Sequence, residues 1–418
     1  MPPNATEDLL QEATHIRTEK AAPGVEYSDE EVEGTTECDR QELGYGAGDA
    51  LFTSFVVAPQ VVGVWRGLWG IMELNGDLFP HAQSYIMGIV IHVSFTLIRS
   101  QLLSRSKGAW GKEGRAGRWL RERVLSRVYT YIFALACIMH WRGGWGLLDK
   151  FVATLLPDDD DPHRPVLIAG LTILFYLSST ALRSSKNILA SPYFLVTDGK
   201  EATYIFATRF EKKSSKETVL YILDCIFSVT VVGSLVVFVW RGSWALLDIF
   251  LFPDDIVKSD WTSLIVGYAL VVFTFALQAP MRWAASRLQG AARLLLADVY
   301  HLISFIATVN VWRGVWGLLD IYFFPETPKL SNWCSHIISL ALLILLNCSN
   351  SILVRGVYID AEEPAGDCVV FPCHYLRLFF HKERIKKRHK RALLAAAAAA
   401  TRKTEEASVP LQIPEEKV

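Results

Sequence analysis

Few residues of this 418-residue chain stand in a pattern that could do chemistry. No His-Glu-x-x-His offers zinc two imidazoles beside a general base, no glycine-rich loop ends in Lys-Ser or Lys-Thr to cradle a phosphate, and no nucleophile elbow occurs. We therefore expect no catalytic residue, no cofactor and no metal. Cys368, Cys373 and His374 sit close in sequence, but only His381 offers a fourth donor, short of the well-spaced set that a closed zinc site takes. The two cysteines also follow a hydrophobic segment, which makes them candidates for palmitoylation. Polar residues do interrupt the apolar runs: His92, His140, Asp224, Asp298, His301, Asn310, Asn347 and Asn350. Such groups can line a path for an ion or small solute. The commoner use is hydrogen bonding between helices, worth ~0.6–2 kcal/mol each.

One pattern is far more specific. Trp65-Arg66-Gly67-Leu68-Trp69-Gly70 recurs as Trp141-Arg142-Gly143-Gly144-Trp145-Gly146, Trp240-Arg241-Gly242-Ser243-Trp244-Ala245 and Trp312-Arg313-Gly314-Val315-Trp316-Gly317. An acid closes each copy, at Glu73, Asp149, Asp248 and Asp320. A proline follows every copy, and a second basic mark, at Arg99, Arg183, Arg282 and Arg355, lies 34, 42, 42 and 43 residues beyond the first Trp. A unit this long, repeated four times, indicates internal duplication. In a helix the two tryptophans share one stripe and Arg and acid share another but stand two turns apart, which favours pairing with a neighbouring repeat over a contact within one copy. Two arrangements fit. The charges pair between neighbouring repeats in a polar ring, the reading that fixed Arg-Gly and Leu-Leu-Asp spacing favours, or the motif is an interfacial belt that anchors helix ends.

The elements that must carry these residues are hydrophobic. Half the chain is apolar (51%), with 12% aromatic residues. Eight apolar runs recur, at about Ala50–Val64, Ala82–Ile98, Val128–Met139, Val166–Leu182, Val219–Val239, Trp261–Ala279, Leu294–Val311 and Cys334–Val354. Crossing ~30 Å of hydrocarbon takes about 20 helical residues, so the fold class expected is all-α, with about eight transmembrane helices in four duplicated two-helix repeats. The first and third runs are short unless their helices continue into the motif. The repeats span about 49–105, 118–190, 218–287 and 291–356, within a membrane domain of 49–355.

Charge sets the orientation. Nine Lys or Arg separate runs two and three, seven separate four and five, and three separate six and seven. With the motif arginines set aside, the alternate connections carry only Lys150, Arg164, Lys258 and Lys329, and they hold acidic stretches such as Asp158–Asp161. By the positive-inside rule the basic connections and both termini are cytosolic. Residues 1–48 are acidic and polar, with no cleavable leader, and are expected to be disordered. Residues 356–418 form a cytosolic tail whose basic helix, with Lys382, Arg384, Lys386, Lys387, Arg388, Lys390 and Arg391, is a candidate for anionic inner-leaflet lipid. Nothing points to nucleic acid. The sequons at Asn4 and Asn347 fall in the cytosol and within a span, where glycosylation does not reach.

The motif copies, the acidic first segment and the stretch Ser191-Pro192-Tyr193-Phe194-Leu195-Val196-Thr197-Asp198-Gly199 resemble the Fuseless family of invertebrate multipass proteins. That resemblance implies a protein of the presynaptic plasma membrane, needed for voltage-gated calcium channels to gather at release sites among other active-zone proteins. It implies no catalytic residues. A small-solute or ion transporter with a polar pathway inside the bundle is the alternative. All four repeats would insert in one orientation, unlike the inverted repeats of many alternating-access folds.

Overall fold

The computed structural model describes residues 46–107, 124, 126–198, 208–210, 218–354, 357 and 366–376. Chain packing separates Met1–Gly48 from Asp49–Val418, and the fold concerns the second unit. Among the described residues there is no strand, and eight long helices account for most of the structure. They are α1 (Gly46–Leu74), α2 (His81–Lys107), α3 (Ser126–Leu155), α4 (Arg164–Ala181), α5 (Val219–Phe250), α6 (Ile256–Arg287), α7 (Gly290–Tyr322) and α8 (Pro328–Leu345).

Five of them, α1, α4, α5, α6 and α7, are long and apolar enough to cross a membrane. The other three carry polar residues that face inward: Ser84 and His92 on α2, His140 and Arg142 on α3, and Ser331, Asn332 and His336 on α8 are all buried. In α1 and α3 the helix runs on through the motif, so the short first and third runs belong to helices of 29 and 30 residues. The eighth run overshoots its helix. α8 ends at Leu345, because Asn347 turns into the left-handed region (φ 59°) and a 3-10 turn, Ser349–Ile352, follows.

Helix ends follow local chemistry. Pro165 and Pro328 sit in the first turns of α4 and α8, where their missing N–H costs no bond. Past α5 and α7 the chain turns at Phe252 and Phe324, both at positive φ (50° and 52°) and both directly before a proline, which excludes the right-handed helical region for them.

The odd helices form an inner layer, in which α1 meets α3, α3 meets α5, α5 meets α7 and α7 meets α1. The even helices cover them from outside. Each inner helix packs most extensively on the even helix that precedes it: α3 on α2, α5 on α4, α7 on α6, and α1 on α8. The sequence hairpin is thus not the packing pair. Instead α2 covers α3 and not α1, α4 covers α5, α6 covers α7, and α8 covers α1.

A second regularity, of order two, lies at the end opposite the motif. α1 and α5 each contain a π-helical turn, Thr53–Val57 and Ser228–Val232, that begins twelve residues before the motif Trp. Arg183 (φ 54°) after α4 corresponds to Asn347 after α8, and the 3-10 turn Ser185–Ile188 corresponds to Ser349–Ile352. Residues 366–376 continue this end: Phe371 is buried against Tyr193, Tyr300 and Phe275, so the bundle extends beyond residue 355.

Candidate functional site: four motif copies at the bundle axis

The inner layer brings the motif copies together as two closed tiers of tryptophan. In the first, Trp65 meets Trp141, Trp141 meets Trp240, Trp240 meets Trp312 and Trp312 meets Trp65, edge to face, with ring centroids 5.3–5.7 Å apart. The second tier repeats the pattern one helical turn on, through Trp69, Trp145, Trp244 and Trp316 at 5.4–6.0 Å. Edge-to-face pairs place the positive ring edge on the negative face of the next, contributing ~0.5–1.5 kcal/mol per pair beyond burial. Four-residue spacing on a straight helix is what stacks the tiers.

Around the tryptophans the charges also form a closed circuit. Arg66 donates to Asp320 (2.8 Å), Arg142 to Glu73 (2.6 Å), Arg241 to Asp149 (2.6 Å) and Arg313 to Asp248 (2.9 Å), each through Nε. Every arginine therefore turns to the acid of the preceding copy, and the first turns to the last. The arginine side chains of Arg66, Arg142 and Arg313 are 3–7% exposed, and Arg241 is 22% exposed.

The glycine after each arginine makes the outer contact possible. A Cβ at Gly67, Gly143 or Gly314 would lie within 3.0 Å of atoms of His336, Tyr85 or Leu264 on the covering helix, and one at Gly242 would collide with Thr172. Backbones this close are a membrane-bundle device, since small residues replace the missing hydrophobic drive. The same close approach carries polar groups of the outer helix, or of the turn just before it, into the arginine fork. Ser331 Oγ accepts from Arg66 (2.9 Å), Phe79 O from Arg142 (2.6 Å), and Ser259 and Ser263 from Arg313 (2.8 Å each), with Asp260 at 3.3 Å.

Toward the opposite end, two loops close over the first tier. Trp65 Nε1 donates to Ile352 O (3.0 Å), Trp240 Nε1 to Ile188 O (2.8 Å) and Trp312 Nε1 to Ser191 O (2.8 Å). A chamber of about 60 Å³ remains between the indoles and these loops, bordered by Lys186, Asn187 and Ser351. Asp198 latches the loops together: it accepts from Ser349 Oγ (2.7 Å) and Asn350 N (2.8 Å), and Arg127 lies 3.5 Å away. Burial and the nearby Asp198 push the Cys348 thiol up to about 12, so it stays protonated at neutral pH. Asp49 and Asp224, each sixteen residues before a motif Trp, accept from the backbone N–H of Tyr375 and of Phe210 (3.0 and 3.1 Å).

The other sequence-derived candidates are dispersed. Arg99 stands inside α2 and Arg282 inside α6, whereas Arg183 lies beyond the end of α4 in the left-handed region, so the four basic marks do not share one structural position. Arg282 pairs with Asp367 (3.1 Å), and Arg355 lies outside the described residues. The same holds for Lys382, Arg384, Lys386, Lys387, Arg388, Lys390 and Arg391, for His381 and for the acidic first segment through residue 45. Cys368 and Cys373 are buried (1% and 3% exposed), which shields both thiols from acylation. Among the described residues no group of three metal-ligating side chains occurs. The in-span polar residues meet protein partners: His140 meets Ser234, His301 meets Ser185 and Cys368 O, Asn310 donates to Ile306 O, and Asn350 accepts from Thr130. Sequence reasoning missed Asp49, Asp198 and the serines of the outer helices. The shared spacing of Asp49 and Asp224 from Trp was a readable signal, whereas the serines became visible only once the covering helix was known.

The family model described as Fuseless matches residues 44–353 of the chain. No curated protein and no solved structure matches it.

Proposed function

The chain belongs to the Fuseless family, and from that premise we propose a non-enzymatic scaffold that gathers voltage-gated calcium channels at presynaptic release sites and so supports synaptic transmission. In this reading all eight helices cross the plasma membrane as four duplicated repeats. The motif end lies at the outer face, and both termini are cytosolic, as the basic connections require. The observation that carries the reading is the occupied axis. Two closed tiers of tryptophan and the loops beneath them fill the space where a solute path would run. Of the buried polar residues that a carrier would need free, His140, His301 and Asn310 are engaged with their own protein.

The four copies of the motif hold the bundle, and the polar ring is their structural role. Partner recognition falls to the parts that are not repeated, the basic connection after α2 and the basic tail, which lie against anionic inner-leaflet lipid beside a channel's cytosolic loops. Removing the protein from neurons tests this. Channel density at release sites and evoked release should fall by at least half while total channel protein is unchanged. Normal channel density with normal release would refute the scaffold.

A further inference from the structure

The four corners of the ring differ in one respect that the sequence explains. On each outer helix, the residue that meets the motif glycine sets the register: His336, Tyr85, Thr172 and Leu264. Five residues before it stand Ser331 on α8 and Ser259 on α6, and one residue before it stand Ser335 and Ser263. On α4 both places are leucine, Leu167 and Leu171. The corner at Arg241 therefore lacks the serine hydroxyls that accept from Arg66 (Ser331) and from Arg313 (Ser259 and Ser263), and among the described residues it has no counterpart of the Phe79 carbonyl that accepts from Arg142. The Thr172 hydroxyl packs against Gly242 and donates to Ile168 O (2.7 Å), and no hydrogen bond from Arg241 reaches it. Arg241 bonds Asp149 through Nε and lies over the Trp145 ring at 5.2 Å, and no hydrogen bond of its two Nη groups is seen among the described residues.

The widest of the three cavities described here opens at this corner. It measures about 170 Å³, against about 60 and 30 Å³ for the other two, and Arg241 lines it together with an apolar wall that includes Leu148, Ile168, Leu171, Phe175 and Ala245. The flanking charges are already engaged: Asp248 by Arg313, Asp149 by Arg241, and Arg164 by Asp159. What is unspent is a guanidinium fork beside an apolar wall. A planar fork with free donors is suited to an oxyanion, and a dry wall of this size is suited to a few methylenes.

We propose that the α3–α4–α5 corner binds an acyl-chain amphiphile whose anionic oxygens take the two Nη positions of Arg241, whereas at each other corner a serine hydroxyl or a carbonyl of the protein holds at least one Nη. The head is a carboxylate of a fatty acid or a phosphate of an anionic phospholipid, and the first part of the chain lies along Ile168, Leu171 and Ala245. This inference rests on the chain being embedded in a membrane but not on any role at channels.

Photo-crosslinking of the full chain in nanodiscs tests it, with a diazirine-bearing palmitate and a diazirine-bearing phosphatidylglycerol as probes. Labels should map to α3, α4 and α5 around the cavity. Excess unlabelled palmitate or phosphatidylglycerol should compete, whichever carries the right head, and hexadecanol, which lacks the charge, should not. Leu171→Ser, which restores the hydroxyl of the other corners, and Ala245→Leu, which fills the cavity, should each cut labelling at least tenfold with no loss of folded protein by size-exclusion chromatography. Competition by hexadecanol, labels spread evenly over the outer helices, or undiminished labelling of folded variants would overturn the site. Extraction of the chain from membranes without detergent would instead overturn the membrane reading itself.

Discussion

At the motif end, four inner helices meet through the same residues four times over, whereas the opposite end is joined by loops that correspond only in pairs and by a tail segment with no counterpart described. The two ends teach different things. A surface repeated four times is committed to itself, since each Arg and Trp already has its neighbour's acid and Trp, and each Gly a residue of the covering helix. The loop end offers sequence that occurs once, and a partner can be distinguished only by what is not repeated.

Within the motif end, the clamped and open corners give the largest expected effect. Arg313→Ala leaves Asp248 and Asp260 without their cation and empties two serine hydroxyls, and breaking a buried pair of this kind costs ~3–5 kcal/mol. Surface expression should fall severely. Arg241→Ala, at a corner with one carboxylate and more exposure, should cost clearly less. Equal losses, measured as folded yield and thermal unfolding in detergent, would remove the distinction between corners.

The smaller effect lies at the loop end. Asp198→Ala deprives Ser349 Oγ and Asn350 N of their acceptor, a loss of ~1–3 kcal/mol for buried groups left unpaired. Because the ring at the other end keeps its contacts, the expected outcome is a well-inserted protein with faster amide exchange in residues 184–198 and 347–354. Unchanged exchange there would mean that the latch is not what joins the two loops.

The sequence carried much of this and withheld a specific part. Each apolar run lies mainly in one helix, and the seven-residue spacing of Arg142 and Asp149 favours pairing between copies over a bond inside one. Which neighbour each arginine chooses was not legible, because it depends on the inner helices closing into a ring with the first copy beside the last. Nor was the exchange of outer helices, since α2 is joined in sequence to α1 yet lies on α3. Cys334–Val354 reads as one apolar stretch because Ile352 is buried, and Leu353 and Val354 partly buried, beside the indoles and loops instead of against lipid. That mistake shifted the basic mark Arg355 into a false correspondence with Arg183, whose structural equivalent is Asn347. Hydropathy alone cannot separate burial in protein from burial in a bilayer.

The most direct measurement compares the two ends in neurons by imaging channel clusters. Residues 366–376 belong to the core, so the tail is replaced by a neutral Gly/Ser linker only from residue 377 onward, and the connection after α2 only over residues 108–123. Asp224 and Asp298 are neutralised in a second pair of variants. The account predicts that either linker variant reaches the plasma membrane at normal levels and disperses the channels, while the aspartate variants that fold keep them clustered. Clusters that survive both linker replacements and vanish only when the aspartates are neutralised would contradict it.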